Sequence, residues 1–155
     1  MSFTTCYDMD GTAVSVPQDT LTYQIAVYGI LIEHEQVLLV RHPQTNLWHP
    51  SGEILQQHEA PTTAIRHHFR KITGMTLRLD GLLLLEEKYL IDETNQPQHQ
   101  TTLYYALDRP QITTASLTEI EHENQAEWVS IAELTRSQLQ FGYNAIMAGQ
   151  LKVQS

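Results

Sequence analysis

Hydrophobic positions along the chain fall into short runs broken by polar turns, a pattern that predicts a strand-rich domain with two helices. Tyr23 to Ile32 (YQIAVYGILI) is a nearly unbroken β-branched and aromatic run, as in a strand buried on both faces. After the polar break His34-Glu35-Gln36, the apolar run resumes at Val37-Leu38-Leu39-Val40-Arg41, which predicts a hairpin. Residues 42–57 carry Pro43, Pro50 and Gly52 and read as mostly loop. Pro61 then suits a first helical position and Gly74 the position just past a helix end. Between them Ile65, Phe69 and Ile72 form one apolar stripe, with Ala64, His68 and Lys71 along its margin. Arg66, His67 and Arg70 point the other way, toward solvent.

Leu77 to Leu90, with its LLLLEEKYL core, reads as a strand, 92–100 as a polar loop and 101–107 (TTLYYAL) as another strand. Alternation places one of Tyr104 and Tyr105 inward. Residues 108–126 form a long acidic connection, Ala126 to Val129 a short strand, and Ser130 opens a C-terminal helix, with Glu133 at capping-box spacing. Residues 1–20 are polar and turn-rich, an arm or a short opening strand; 21–155 form a single domain. The element order predicts an α+β or mixed α/β sandwich, a mixed β-sheet packed between helices.

Composition narrows the setting. The chain has 155 residues, 41% of them apolar, enough for one continuous core. Nine basic against 18 acidic residues give a net charge of −9, which argues against nucleic acid and anionic membrane as partners. A single cysteine, Cys6, no visible leader and no run of membrane-spanning length fit a cytoplasmic protein. Serine-nucleophile and phosphate-loop signatures (G-x-S-x-G, G-x-x-x-x-G-K-[ST]) are absent.

The stretch LWHPSGEILQQHEAPTTAIRHHFRKITGM, Leu47 to Met75, is the informative one. It resembles the Nudix box, G-x5-E-x7-R-E-U-x-E-E-x-G-U with U aliphatic. Leu47 to Gly52 looks like the W-x-x-P-G-G approach to that box. Glu59 matches its first glutamate if the preceding loop holds one extra residue. Ala64, Phe69, Thr73, Gly74 and Met75 match the helix core and exit. QVLLVR before the box and AEWVSIAEL after it extend the resemblance over most of the chain.

The resemblance implies a Nudix fold and, for the family, hydrolysis of nucleoside diphosphates linked to a variable group. Clustered box glutamates hold Mg²⁺ or Mn²⁺ against the pyrophosphate and activate water. Counted back from Gly74, however, R-E-U-x-E-E falls on His67, His68, Phe69, Arg70, Lys71 and Ile72, so none of the three helical glutamates is present. At ~4 Å and an effective dielectric of about 20, two unit charges interact by about 4 kcal/mol. Exchanging a carboxylate beside a divalent cation for an ammonium therefore swings the interaction by up to about 16 kcal/mol, a ceiling because Lys71 can turn outward. The expectation is a protein that binds a nucleotide or phosphorylated small molecule, with metal-dependent hydrolysis weak or lost.

The candidate residues follow. Glu59 and Glu53 are the remaining carboxylates near the box and the candidate metal ligands; Glu59 also suits a helix N-terminus as a plain charge. Glu121, with Glu119 and Glu123, lies where some family members draw a general base, so Glu59 and Glu121 are the catalytic candidates. Arg41, Trp48, His68 and Lys71 are the substrate-binding candidates, although an aromatic at the place of Trp48 more often packs as core under the box helix. Convergence of His58, Glu59 and His68 on a transition metal is a minor alternative to scattered histidines. Two rival classes remain open: an active pyrophosphohydrolase using carboxylates outside the box helix, and a non-catalytic regulatory or protein-interaction module, with a homodimer left open.

Overall fold

The computed structural model describes residues 2–74, 76–109 and 126–154. Among the described residues, eight strands and two α-helices follow one another as β1 (Phe3–Tyr7), β2 (Ala13–Pro17), β3 (Thr22–Glu33), β4 (Gln36–Arg41), β5 (Trp48–Ile54), α1 (Pro61–Thr73), β6 (Arg78–Ile91), β7 (Pro97–Asp108), β8 (Ala126–Ser130) and α2 (Tyr143–Gln154). The strands form one mixed sheet in the order β2-β1-β6-β7-β3-β5-β4-β8, in which β3 and β7 run parallel and β6 runs antiparallel to β7. The expected mixed sheet between helices is what the chain builds.

Alternation sorts the apolar residues onto the two faces. Val27 and Leu31 of β3 and Leu38 of β4 pack with Ala64, Ile65 and Phe69 of α1. Ile30, Val37 and Leu39 point the opposite way and pack with Trp48, Tyr104, Ala145 and Ile146. Both strands are buried on both faces, which is why their sequences read as continuous apolar runs. Helix α1 begins at Pro61 and ends where Gly74, at φ 74°, returns its N–H to the Arg70 carbonyl over 2.9 Å. Gly29 lets α1 settle, because a Cβ there would run into the Phe69 ring and the Leu107 side chain.

Four segments differ from the sequence expectation. Residues 48–54 are strand, not loop: β5 pairs with β4 through Trp48, His49 and Pro50, then with β3 from Ser51 onward. Pro50 sits at the change of partner, a place where a strand tolerates a missing N–H. Residues 1–20 contain two strands and a 3₁₀ turn rather than one arm or strand, and the hairpin joins the sheet where Tyr7 meets Leu90. Strand β7 begins at Pro97, inside the expected loop, because Asp92 closes the turn before it by accepting the Thr94 and Gln96 N–H groups. Ser130 ends β8 instead of opening a helix. The Ile131 N–H bonds the Glu35 carbonyl at 3.1 Å, and the capping box forms later, between Thr135 and Gln138. The final helix starts only at Tyr143.

Candidate functional site

Strand β5 and helix α1 bring three polar side chains together. His68 Nε2 lies 2.7 Å from Ser51 Oγ, and His68 Nδ1 lies 3.4 Å from Glu53 Oε2. Ser51 and Glu53 reach the same imidazole because positions two apart on a strand share a face. Ser51 is 3% exposed, and the His68 side chain 17%. Burial lowers the His68 pKa from its ordinary value, the Glu53 carboxylate opposes this, and the charges of Lys71 and His67 reinforce it. At neutral pH the ring is therefore a neutral group engaged on both nitrogens.

The other box-helix positions diverge from this point. Lys71 and His67 are exposed, as are Arg66 and Arg70, while Ile72 packs beside the α1 core. Glu59 precedes the helix, and its carboxylate accepts the Gln56 N–H at 3.1 Å. The Arg41 guanidinium lies 3.9 Å above the Trp48 ring and donates to the Asn46 carbonyl at 3.2 Å. Trp48 is buried, but on the α2 side of the sheet rather than under α1. Arg41 is thus drawn to Trp48 and His68 to Ser51 and Glu53, so the expected substrate contacts are not one cluster. Glu119, Glu121 and Glu123 lie outside the described residues.

A hard divalent cation needs several converging oxygen donors. The helix offers an imidazole already bonded, an ammonium and a hydrocarbon at His68, Lys71 and Ile72. Among the described residues, no three His, Cys, Asp or Glu side chains converge as a metal-ligating group. This donor set does not fit Mg²⁺ or Mn²⁺ at the box helix.

The α2 side carries a second constellation. A cleft of about 310 Å³ opens between β6 and residues 136–144, lined by Glu86, Lys88, Arg136, Phe141 and Tyr143 among others. Lys88 Nζ sits 4.8 Å over the Phe141 ring and 3.8 Å from Glu86. The Arg136 guanidinium lies 4.3 Å over Tyr143 and donates to Asn144 Oδ1 at 2.8 Å. Beside them the buried Tyr104 hydroxyl lies next to Glu86; burial, then the charge and hydrogen bonding of the Glu86 carboxylate, push its pKa up. Burial likewise raises the neighbouring Tyr28 to about 12. Strand β5 links the two regions: His49 stacks on Phe141 at 5.0 Å, and Pro50 packs where a Cβ on Gly142 would fall.

Sequence reasoning missed this cleft. The signal was the alternation in Leu84-Leu85-Glu86-Glu87-Lys88, which puts Glu86 and Lys88 on one face of a strand. The partner segment, Arg136 to Tyr143, was hidden inside the helix expected from Ser130.

No protein-family model and no curated protein matches the chain. Solved structures do resemble it. NrtR from Shewanella oneidensis, in complex with a 27mer DNA, gives a TM-score of 0.64 at 17% identity, over 83% of this chain and 61% of that one. A MutT NUDIX hydrolase from Burkholderia pseudomallei gives 0.56 at 16% identity, over 76% and 93%. The chain has the Nudix fold. A UDP-X diphosphatase with the same fold gives 0.56 at 17% identity, over 86% of this chain and 64% of that one.

The chain spans less than two thirds of NrtR, and binding of DNA is a property of NrtR. The partner set expected from sequence, which excluded nucleic acid, is nonetheless corrected by it. A protein with the same fold was crystallised on DNA, and a net charge summed over a whole chain does not bound what one face touches. Among the described residues, no helix is long and apolar enough to cross a membrane.

Proposed function

We propose that this Nudix-fold protein binds a phosphorylated ligand, a nucleoside diphosphate derivative or related metabolite, without metal-dependent pyrophosphate hydrolysis of the box type. The observation that carries the reading is the Ser51–His68–Glu53 arrangement. It places a neutral, doubly engaged imidazole where the box resemblance expects a metal-holding glutamate. With no box carboxylates to assemble a cation, phosphate charge must be met by protein cations directly. Lys88 and Arg136 supply two in one cleft, and Phe141 and Tyr143 supply ring faces for a planar group.

Two measurements test this. Nucleoside triphosphates, ADP-ribose and nucleotide sugars incubated with the protein and Mg²⁺ or Mn²⁺ are expected to survive; turnover at ordinary Nudix rates overturns the loss of hydrolysis. Calorimetry in EDTA with the same panel is expected to give at least one saturable heat, and uniformly flat titrations overturn ligand binding. A second reading, a non-catalytic regulatory module acting with DNA, is favoured by the likeness to NrtR in its DNA complex. Anisotropy of a labelled duplex titrated with the protein at low salt tests it, and an unchanged signal removes it.

A further inference from the structure

Nine basic residues stand against 18 acidic ones, and the fold sorts the nine unevenly. Arg78, Lys88, Arg109 and Lys152 form ion pairs with Asp108, Glu86, Glu33 and Asp80. Arg41 and Arg136 lie over the Trp48 and Tyr143 rings. The other three, Arg66, Arg70 and Lys71, all belong to α1. Each is exposed, and none has a carboxylate or ring partner among the described residues. Helix α1 contains no acidic residue, so its outer face lacks the interspersed acids that steady a solvated helix surface. At 100° per residue, Arg66, Arg70, His67 and Lys71 spread over about 140° of the helix, opposite Ile65 and Phe69.

We propose that the outer face of α1 binds the phosphate backbone of a nucleic acid duplex, independently of sequence. The proposal gives the DNA reading its surface and rests on that reading. Charge complementarity carries it. Guanidinium groups grip phosphate oxygens in pairs, and Arg66 and Arg70, one helical turn apart, meet successive phosphates with Lys71 beside them. All 18 acidic residues lie outside α1, so the field of the chain steers a polyanion toward this face. The face suits a phosphate backbone better than other polyanions. Protein partners are held by apolar or aromatic anchors, and the outer face is made of Thr62, Thr63, Arg66, His67, Arg70 and Lys71. A helix that lies on a membrane inserts apolar side chains, and here Ile65 and Phe69 are fully buried in the core. Three cations engaged on phosphates leave none to read base edges, so the binding carries no sequence preference.

The test titrates a fluorescein-labelled duplex of arbitrary sequence with the full chain and follows anisotropy from about 20 to about 200 mM salt. The logarithm of the binding constant is expected to fall with the logarithm of salt at a slope of about −2.7, as for three phosphates. Arg70→Gln is expected to weaken binding several-fold at low salt and to flatten the slope by about one. Replacing Arg66, Arg70 and Lys71 together by Gln is expected to abolish the signal with an unchanged circular dichroism spectrum. Lys152→Gln removes the same charge from α2 and is expected to leave the slope as it was, which separates this face from net charge. If the unaltered chain binds the duplex and the α1 variants keep its slope, the surface is overturned and the DNA reading stands. If the unaltered chain leaves the anisotropy unchanged, both fall. Release of the duplex by poly-glutamate, or by phosphatidylserine vesicles, at equal charge concentration also overturns the proposal, because the partner is then an acidic protein or an anionic membrane.

Discussion

On the α1 side of the sheet, His68 is fixed between Ser51 and Glu53, and the cations around it, Lys71, Arg66 and Arg70, face water. On the α2 side, Lys88 and Arg136 face a cleft and lie against aromatic rings. The first region has the box-like sequence and a closed polar arrangement at His68. The second has no recognisable motif, and its two cations line an open cleft. The contrast puts the proposed ligand surface on the α2 side.

The largest predicted effect removes the α1 side altogether. Phe69 is fully buried against Gly29 and the first core, so Phe69→Ala is expected to cost about 3–5 kcal/mol. At roughly 2–4 °C per kcal/mol for a chain of this size, the thermal midpoint falls by roughly 10 °C. If α1 only decorates the sheet, calorimetry will show a shift of a degree or two, and the comparison of two packed faces loses its basis.

Restoring the box tests the same face chemically. The triple substitution His68→Glu, Lys71→Glu and Ile72→Glu restores the box carboxylates, the one at 68 beside Glu53, and is expected to be less stable without metal, from like-charge repulsion and a charge at a half-buried site. Mn²⁺ at about 100 times its dissociation constant then returns about 2.7 kcal/mol, a shift of several degrees. The unaltered chain is expected to move by less than about a degree under the same conditions. An equal Mn²⁺ shift in both proteins shows that the donor-set argument is mistaken.

The strands, α1 and the sandwich were legible because burial writes itself into periodicity: Val27, Leu31 and Phe69 are apolar for one reason, and spacing alone reveals it. The Ser51–His68 contact was not legible. It joins residues 17 apart whose meeting depends on β5 being a strand, and Pro50 made that segment look like loop. The cleft was harder still. Glu86 and Arg136 are separated by 50 positions of chain, and a shifted capping box, Thr135 with Gln138 instead of Ser130 with Glu133, misplaced the whole roof. Local signals fix elements, whereas sites depend on tertiary pairings that no local signal encodes.

Ligand affinity sharpens the contrast further. Arg136→Gln is expected to weaken the phosphorylated ligand about ten-fold, about 1.4 kcal/mol, and Lys71→Met to leave it within about two-fold. The assignment of phosphate contacts to Arg41, His68 and Lys71 predicts the reverse order, so one pair of titrations decides between the faces. Tyr104→Phe deletes the buried hydroxyl beside Glu86 and keeps the ring. It is expected to destabilise the free protein by about 1 kcal/mol, a fall of roughly 2–4 °C. An unchanged or raised midpoint means that the hydroxyl has no partner at Glu86.

The smallest effect is a pH dependence, and its sign follows from burial. His68 and His49 both have their pKa lowered from 6.5, chiefly because burial disfavours the charged ring. Glu53 opposes the shift at His68, as does the Pro50 carbonyl at His49, without reversing it. In the unfolded chain both rings take up a proton as the pH falls through 6.5, while in the folded chain they resist. The unfolded state then binds more protons, so stability is full above 6.5 and declines as the pH falls toward the folded pKa values. Burial pushes the Asp92 pKa up, but the bonds from Thr94, Gln96 and Gln98 together bring it below 3.8, so Asp92 enters only at more acidic pH than the histidines. His68→Gln keeps a polar partner for Ser51 and removes one titrating ring. Its thermal midpoint should fall less steeply than that of the unaltered chain between neutrality and about pH 5, with the residual slope belonging to His49. Superimposable profiles for the two proteins would mean that the His68 ring is as free to take up a proton in the fold as in the unfolded chain, and that Ser51 and Glu53 do not hold it closed.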